Sequence, residues 1–254
     1  MHHLALGVVQ SLFHAMVNEF TVIRIEPPPS AILFDAVGTL IYPEPSVAVV
    51  YSQIAARHGV RLAESEIAGR FGPALATHSS SMLTSSEAFE RVRWQRVVAE
   101  VFCEFPAAQA AGEMFDELWR HFARPAAWKV FDDVTRCLQS LRECNYSLGI
   151  VSNFDGRLHD VVQGHPAIAQ LPCFVSSEVG FAKPHAQLFA TVAERLALPA
   201  ERLLLVGDDP VADYEGAISA GWQAVLLDRK RESQLASISG LEELSELLAG
   251  GNSS

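Results

Sequence analysis

Four short apolar runs, each broken off by polar residues at its C-terminal end, constrain this chain most. They are Ala31-Ile32-Leu33-Phe34 before Asp35 and Gly38-Thr39, Ser147 to Val151 before Ser152-Asn153, Leu203 to Val206 before Gly207-Asp208-Asp209, and Ala224 to Leu227 before Asp228. Runs of this length and composition fit strands buried on both faces. Helical periodicity separates them over Asp132 to Glu143, Ala186 to Ala197 and Val211 to Ala220, the last closed by Gly221 as a C-cap. Strands alternating with helices predict an α/β fold with a doubly wound parallel sheet. In such sheets ligands bind at the carboxyl ends of the strands, so Asp35, Ser152 and Asp208 are expected to share one site.

The stretch from Ser46 to Ala126 is different, because its periodicity is helical throughout. Val47, Val50, Tyr51 and Ile54 make one face, Phe89, Val92, Arg93, Arg96, Val97, Val101 and Phe102 a second, and Met114, Phe115, Leu118, Trp119 and Phe122 a third. The chain is therefore expected to divide into a core, residues 31–45 plus 127–254, and an inserted all-helical domain, residues 46–126. Leu241 to Leu248 reads as a last short helix, and Trp94, Trp119, Trp128 and Trp222 as fillers of cores or of the seam between the two parts.

Residues 1–30 read as an N-terminal extension, expected to be disordered, with Pro27-Pro28-Pro29 as a linker. The apolar run from Leu4 to Val17 is interrupted by Gln10, Ser11 and His14, and the first cation is Arg24, so it suits neither a signal peptide nor a membrane span. A balance of 19 basic against 30 acidic residues, without a basic stripe, argues against nucleic acid as a partner. Cys103, Cys137, Cys144 and Cys173 lack zinc-site spacing and read as reduced, mostly buried thiols. A cytoplasmic protein is expected.

The strand ends carry the chemistry. Asp35 places a carboxylate beside a glycine turn, Ser152 offers a hydroxyl donor, Lys183 is one of only three lysines, and Asp208, Asp209 and Asp213 form an acidic cluster. Taken singly, Asp35 also suits a turn, Ser152 a helix cap, Lys183 a solvated loop and Asp213 the first turn of a helix. The ordered set Phe34-Asp-Ala-Val-Gly-Thr-Leu40, Val151-Ser-Asn-Phe-Asp-Gly-Arg-Leu158, Ser177-Glu-Val-Gly-Phe-Ala-Lys-Pro184 and Gly207-Asp-Asp resembles the haloacid dehalogenase-like hydrolase superfamily. Within it the motifs look most like the REG-2-like branch, the group of the haloacid dehalogenase-like domain-containing protein 3.

That resemblance implies a Rossmann-like core under a small helical cap. It makes Asp35 the nucleophile, with Ser152 and Lys183 as its catalytic partners, and Ser152, Asn153 and Lys183 the contacts to a phosphorylated small molecule. Asp35, the backbone carbonyl of Val37, Asp208 and Asp213 would hold Mg2+, with Asp209 as a further acceptor. Converging carboxylates repel one another unless a cation is present, which is an independent argument for a metal.

At Val37 the sequence departs from the superfamily's phosphatases, which carry there a second Asp that works as general acid and base. An isopropyl group cannot move a proton, a loss of about 10²- to 10⁴-fold. Three readings follow: a Mg2+-dependent phosphohydrolase restricted to leaving groups that need little protonation, such as aryl or acyl phosphates; a non-catalytic binder of phosphate ligands; or a metal-independent 2-haloacid dehalogenase. Schiff-base phosphonatase chemistry is disfavoured by the lack of any lysine between Ser46 and Ala126.

Overall fold

The structure, a computed structural model, describes residues 23, 25–79, 83–104 and 108–250. Six parallel strands form the main sheet in the order β5-β4-β1-β6-β7-β8. They are β1 (Ala31–Phe34), β4 (Ser147–Ser152), β5 (Cys173–Val175), β6 (Leu203–Gly207), β7 (Gln223–Leu227) and β8 (Ser237–Ile238). The doubly wound sheet expected from the sequence is present, with β1 at its centre between β4 and β6. The register is in phase, Phe34 lying level with Ile150 and Val206, so Asp35, Ser152 and Asp208 leave the sheet at one edge.

Strand periodicity divides β1 between two cores. Ile32 and Phe34 face a cluster completed by α5 (Val134–Glu143), α6 (Arg157–Gln163) and α10 (Glu242–Gly250). Ala31 and Leu33 face another, completed by α8 (Ala186–Leu196) and α9 (Gly216–Ser219). All four residues are buried, and truncation of Leu33 to Ala is expected to cost about 2–5 kcal/mol.

Two elements had no signature in the sequence reading. β2 (Ile41–Pro43) and β3 (Trp128–Val130) pair antiparallel, with Pro43 opposite Trp128. The chain leaves for its helical insertion and returns from it through this two-stranded neck. The insertion holds α1 (Val47–Arg57), α2 (Glu64–Ser79), α3 (Glu87–Val101) and α4 (Ala108–His121). Ser46 and Ser86 cap α1 and α3 by accepting from the N–H groups of Val49 and Phe89, and the apolar faces meet in a separate cluster around Tyr51, Ile54, Val97 and Phe115. Val92, read as part of the apolar face of α3, is exposed.

Two local expectations are corrected. The segment over Val211–Ala220 is not one α-helix: Pro210–Glu215 is a wide π-helical turn, and only Gly216–Ser219 is α-helical. Tyr214 N–H reaches back five residues to the carbonyl of Asp209, while Asp209 Oδ1 accepts from Val211 and Ala212. Gly221 does close the segment, at φ +80°. The proline linker is docked and not free: Pro29 is buried, Pro27 accepts from Gln223 Nε2, and Ser30 N–H donates to Arg202. The remainder of the expected disorder, residues 1–22 and 24, lies outside the described residues. No helix among the described residues is long and apolar enough to cross a membrane. Cys137 is buried, but Cys103 and Cys144 are exposed and all four thiols are free, so the thiols are less buried than expected.

Candidate active site

Asp35 follows β1 directly, its N–H bonded to Val206, and its carboxylate is buried at the strand ends. Ser152 Oγ donates to Asp35 Oδ1 at 3.1 Å, so Ser152 does not serve as a helix cap. Lys183 Nζ donates to the same oxygen at 2.7 Å, to Asp213 Oδ1 at 2.5 Å and to the Val151 carbonyl at 2.9 Å. Lys183 is only 4% exposed, which rules out a solvated loop cation. Both donors fall on Oδ1, and among the described residues none engages Oδ2.

Asn153 fixes Lys183 through a reciprocal pair, accepting from Lys183 N–H at 2.7 Å and donating to its carbonyl at 2.9 Å. Its side chain is thereby committed to positioning Lys183. Asp209, besides capping the turn, donates its N–H to Asp213 Oδ2 at 3.0 Å. The wide turn thus serves the site, because it swings Asp213 back towards Lys183. Two glycines make room for the acids. A Cβ on Gly38, at φ +92°, would lie 2.2 Å from Asp208 Oδ2, and one on Gly207 would lie 2.2 Å from Asp213 Oδ2.

Carboxylate oxygens of Asp35, Asp208 and Asp213 lie within 4.8 Å of one another. The electrostatic cost is visible at Asp208, which reaches the surface yet is packed by protein on its other sides. That loss of solvation, then the charges of Asp35 and Asp213, pushes its carboxyl up to about 7. Burial likewise pushes Asp213 up to about 6, with Asp35 adding to the rise and Lys183 opposing it. Burial alone would lower Lys183, but the charges and hydrogen bonds of Asp213 and Asp35 outweigh it and hold the ammonium well above its ordinary range. Three convergent acids with one ammonium between them, and glycines that leave space beside two of them, fit a hard divalent cation on oxygen ligands.

The sequence reading missed a supporting clamp. Arg229 makes a two-pronged pair with Asp133 at 2.8 and 3.0 Å and donates to the carbonyls of Gly38 and Thr39, pinning the loop that follows Asp35. Burial would raise the Asp133 carboxyl. The hydrogen bonds and charge of Arg229, with the N–H of Leu241, prevail and leave it lowered. Thr39, fully buried, directs its hydroxyl towards Asp208 at 3.4 Å.

Asp35, Ser152, Asn153, Lys183, Asp208 and Asp213 form the floor of a cleft of about 790 Å³. Val37 sits on its wall beside Asp35, and the opposite side is supplied by the insertion through Phe71, Leu75, Phe89 and Trp94. Arg93 also lines it and is ion-paired at 2.7 Å with Glu90, which is buried and accepts from Ser85.

The chain belongs to the haloacid dehalogenase-like hydrolases: the family model of that description matches residues 29–221. It is 29% identical over 205 residues to the haloacid dehalogenase-like hydrolase domain-containing protein 3 of Danio rerio, covering 78% of this chain and 85% of that one. Among solved structures, it resembles the HAD phosphatase of Thermococcus onnurineus at a TM-score of 0.62 and 24% identity, over 87% of this chain and 98% of the other. It also resembles the magnesium-bound putative HAD-hydrolase YfnB of Bacillus subtilis, at a TM-score of 0.68 and 21% identity, over 87% and 99% of the two chains.

Proposed function

We propose that this hydrolase is a Mg2+-dependent phosphohydrolase acting on a small phosphorylated molecule through a phosphoryl group carried covalently on Asp35. The convergence of Asp35 Oδ1, Ser152 and Lys183 beside an acidic cluster carries the reading. Asp35 is the nucleophile, attacking phosphorus through Oδ2 while Ser152 and Lys183 fix its other oxygen. The bond from phosphorus to the leaving oxygen breaks, and that oxygen keeps the electron pair. Water then joins phosphorus, the bond to Asp35 breaks, the carboxylate is regenerated, and the protons pass to phosphate and solvent.

Mg2+, held by Asp35, the Val37 carbonyl and Asp208 with Asp213 in support, would neutralise the phosphoryl oxygens. Lys183 supplies the fixed positive charge, and Asn153 keeps it in register while lying beside the substrate position. The insertion, residues 46–126, acts as a cap that excludes water from the cleft formed with the core, residues 31–45 and 127–254. With Val37 unable to donate a proton, efficient turnover is confined to oxygens that leave as stable anions. Free thiols fit a reducing compartment, and we place the protein in the cytoplasm.

The test is phosphate release from phenyl phosphate and a panel of metabolite phosphates, with Mg2+ or EDTA, for the wild type and Asp35→Asn. Release that needs both Mg2+ and Asp35 is the expected result. Tight vanadate binding without release would replace catalysis by a binding role, and halide release from a 2-haloacid in EDTA would replace it by dehalogenation.

A further inference from the structure

Behind the cleft lies a second cavity, of about 70 Å³, at the seam between the insertion and the core. Val47, Phe71, Trp94, Trp128 and Phe154 line both spaces, so the cavity opens against the wall of the cleft that faces the carboxylates. Eight of its twelve lining residues are aromatic. Among the described residues the one charged group lining it is Arg157, and its charge is already committed. Its guanidinium pairs with both oxygens of the fully buried Asp155 at 2.7 Å, donates to the Trp119 carbonyl at 3.1 Å, and lies 3.4 Å over the Trp119 ring. Stacked in this way it adds one more flat wall. Protein interiors close-pack, so an open space walled by aromatic rings next to a reaction cleft suits a flat apolar guest.

Building on the phosphohydrolase reading, we propose that this cavity is the leaving-group subsite and that the substrate is a phosphate monoester or anhydride of an aromatic alcohol or acid. Two independent features meet in that class. The cavity accepts a ring, and Val37 requires a leaving oxygen stable without a proton. An aryloxide, whose conjugate acid ionises near 10 as tyrosine does, meets that demand, whereas the alkoxide of a sugar phosphate does not. When Asp35 takes the phosphoryl group, the aryl oxygen departs with the bonding pair while its ring stays among Trp94, Trp119 and Phe115.

The test compares kcat/KM for 2-naphthyl phosphate and phenyl phosphate in the Mg2+-loaded full chain. The naphthyl ester is expected to be favoured about tenfold or more. Leu118→Trp and Val98→Phe, which fill the cavity from its far side, should each bring the ratio close to one. The ratio within one sample does not depend on the fraction of protein folded. A wild-type ratio near one, or a high ratio that survives both substitutions, would overturn the subsite while leaving the phosphohydrolase reading in place. If neither ester is hydrolysed, that reading fails, and 2-naphthol binding, followed by quenching of tryptophan fluorescence, still decides the subsite: saturable binding abolished by Leu118→Trp supports it, and no saturable binding overturns it.

Discussion

The core wall of the cleft gathers Asp35, Ser152, Lys183, Asp208 and Asp213 from three regions of the sequence, ties Asp35, Ser152, Lys183 and Asp213 together by direct charged hydrogen bonds, and sets Asp208 beside them. The insertion wall opposite is mostly aromatic and aliphatic, and its Arg93 is paired with Glu90. A change on the first wall alters charge at the reacting atoms, so it should affect every substrate alike. A change on the second alters shape and apolar contact, so it should affect one substrate relative to another. In the proposed function, bond making and choice of substrate are thereby carried by separate surfaces.

The sharpest way to break that division is Asp35→Asn, expected to lower turnover of all phosphate esters by about 10⁴-fold or more with little change in fold, as steady-state assays and circular dichroism would show. Loss confined to one substrate would merge the two walls. Lys183→Met should affect stability as well as activity. It strands Asp35 and Asp213 as buried carboxylates, and urea unfolding should report a cost of about 3–5 kcal/mol at neutral pH. Val37→Asp should restore a proton donor and raise kcat on alkyl phosphates by about 10²-fold, with much less gain on aryl phosphates. An equal gain on both would mean that protonation of the leaving oxygen is not what Val37 withholds.

The smallest effect is expected at the clamp beneath the site. Asp133→Asn should cost about 1.5–3 kcal/mol by losing its charged pairing with Arg229. Because the folded carboxyl is lowered, its stabilisation is present above the unfolded value of about 3.9 and disappears as pH falls through the lower folded one. Denaturation curves of wild type and variant should therefore differ most at pH 5–7 and converge on acidification.

The core wall was legible in the sequence because Asp35, Ser152 and Asp208 stand at the ends of apolar runs, where parallel strands bring such positions together, and because Lys183 and Asp213 complete an ordered set of motifs with them. Its supports were not. Arg229 and Asp133 are 96 residues apart and meet only through tertiary folding. β2 and β3 are three residues each, too short for alternation to show, and β2 ends in Pro43. The π-helical turn repeats the apolar spacing of an α-helix, and only the capping by Asp209 and the pull of Lys183 on Asp213 set it apart. The insertion wall was least legible of all. Aromatic residues at helical spacing read as core, and a core ring and a ring lining a void share one sequence pattern. Trp222 is packed in the core, whereas Trp94 and Trp128 face the cleft.

In the proposed reaction phosphorus passes through Asp35. Mixing the Mg2+-loaded protein with phenyl phosphate, quenching in acid within a turnover and mapping peptides by mass should find one phosphoryl group on the peptide carrying Asp35, absent in EDTA and in Asp35→Asn. Phosphate released at the full rate with that peptide never modified would contradict it.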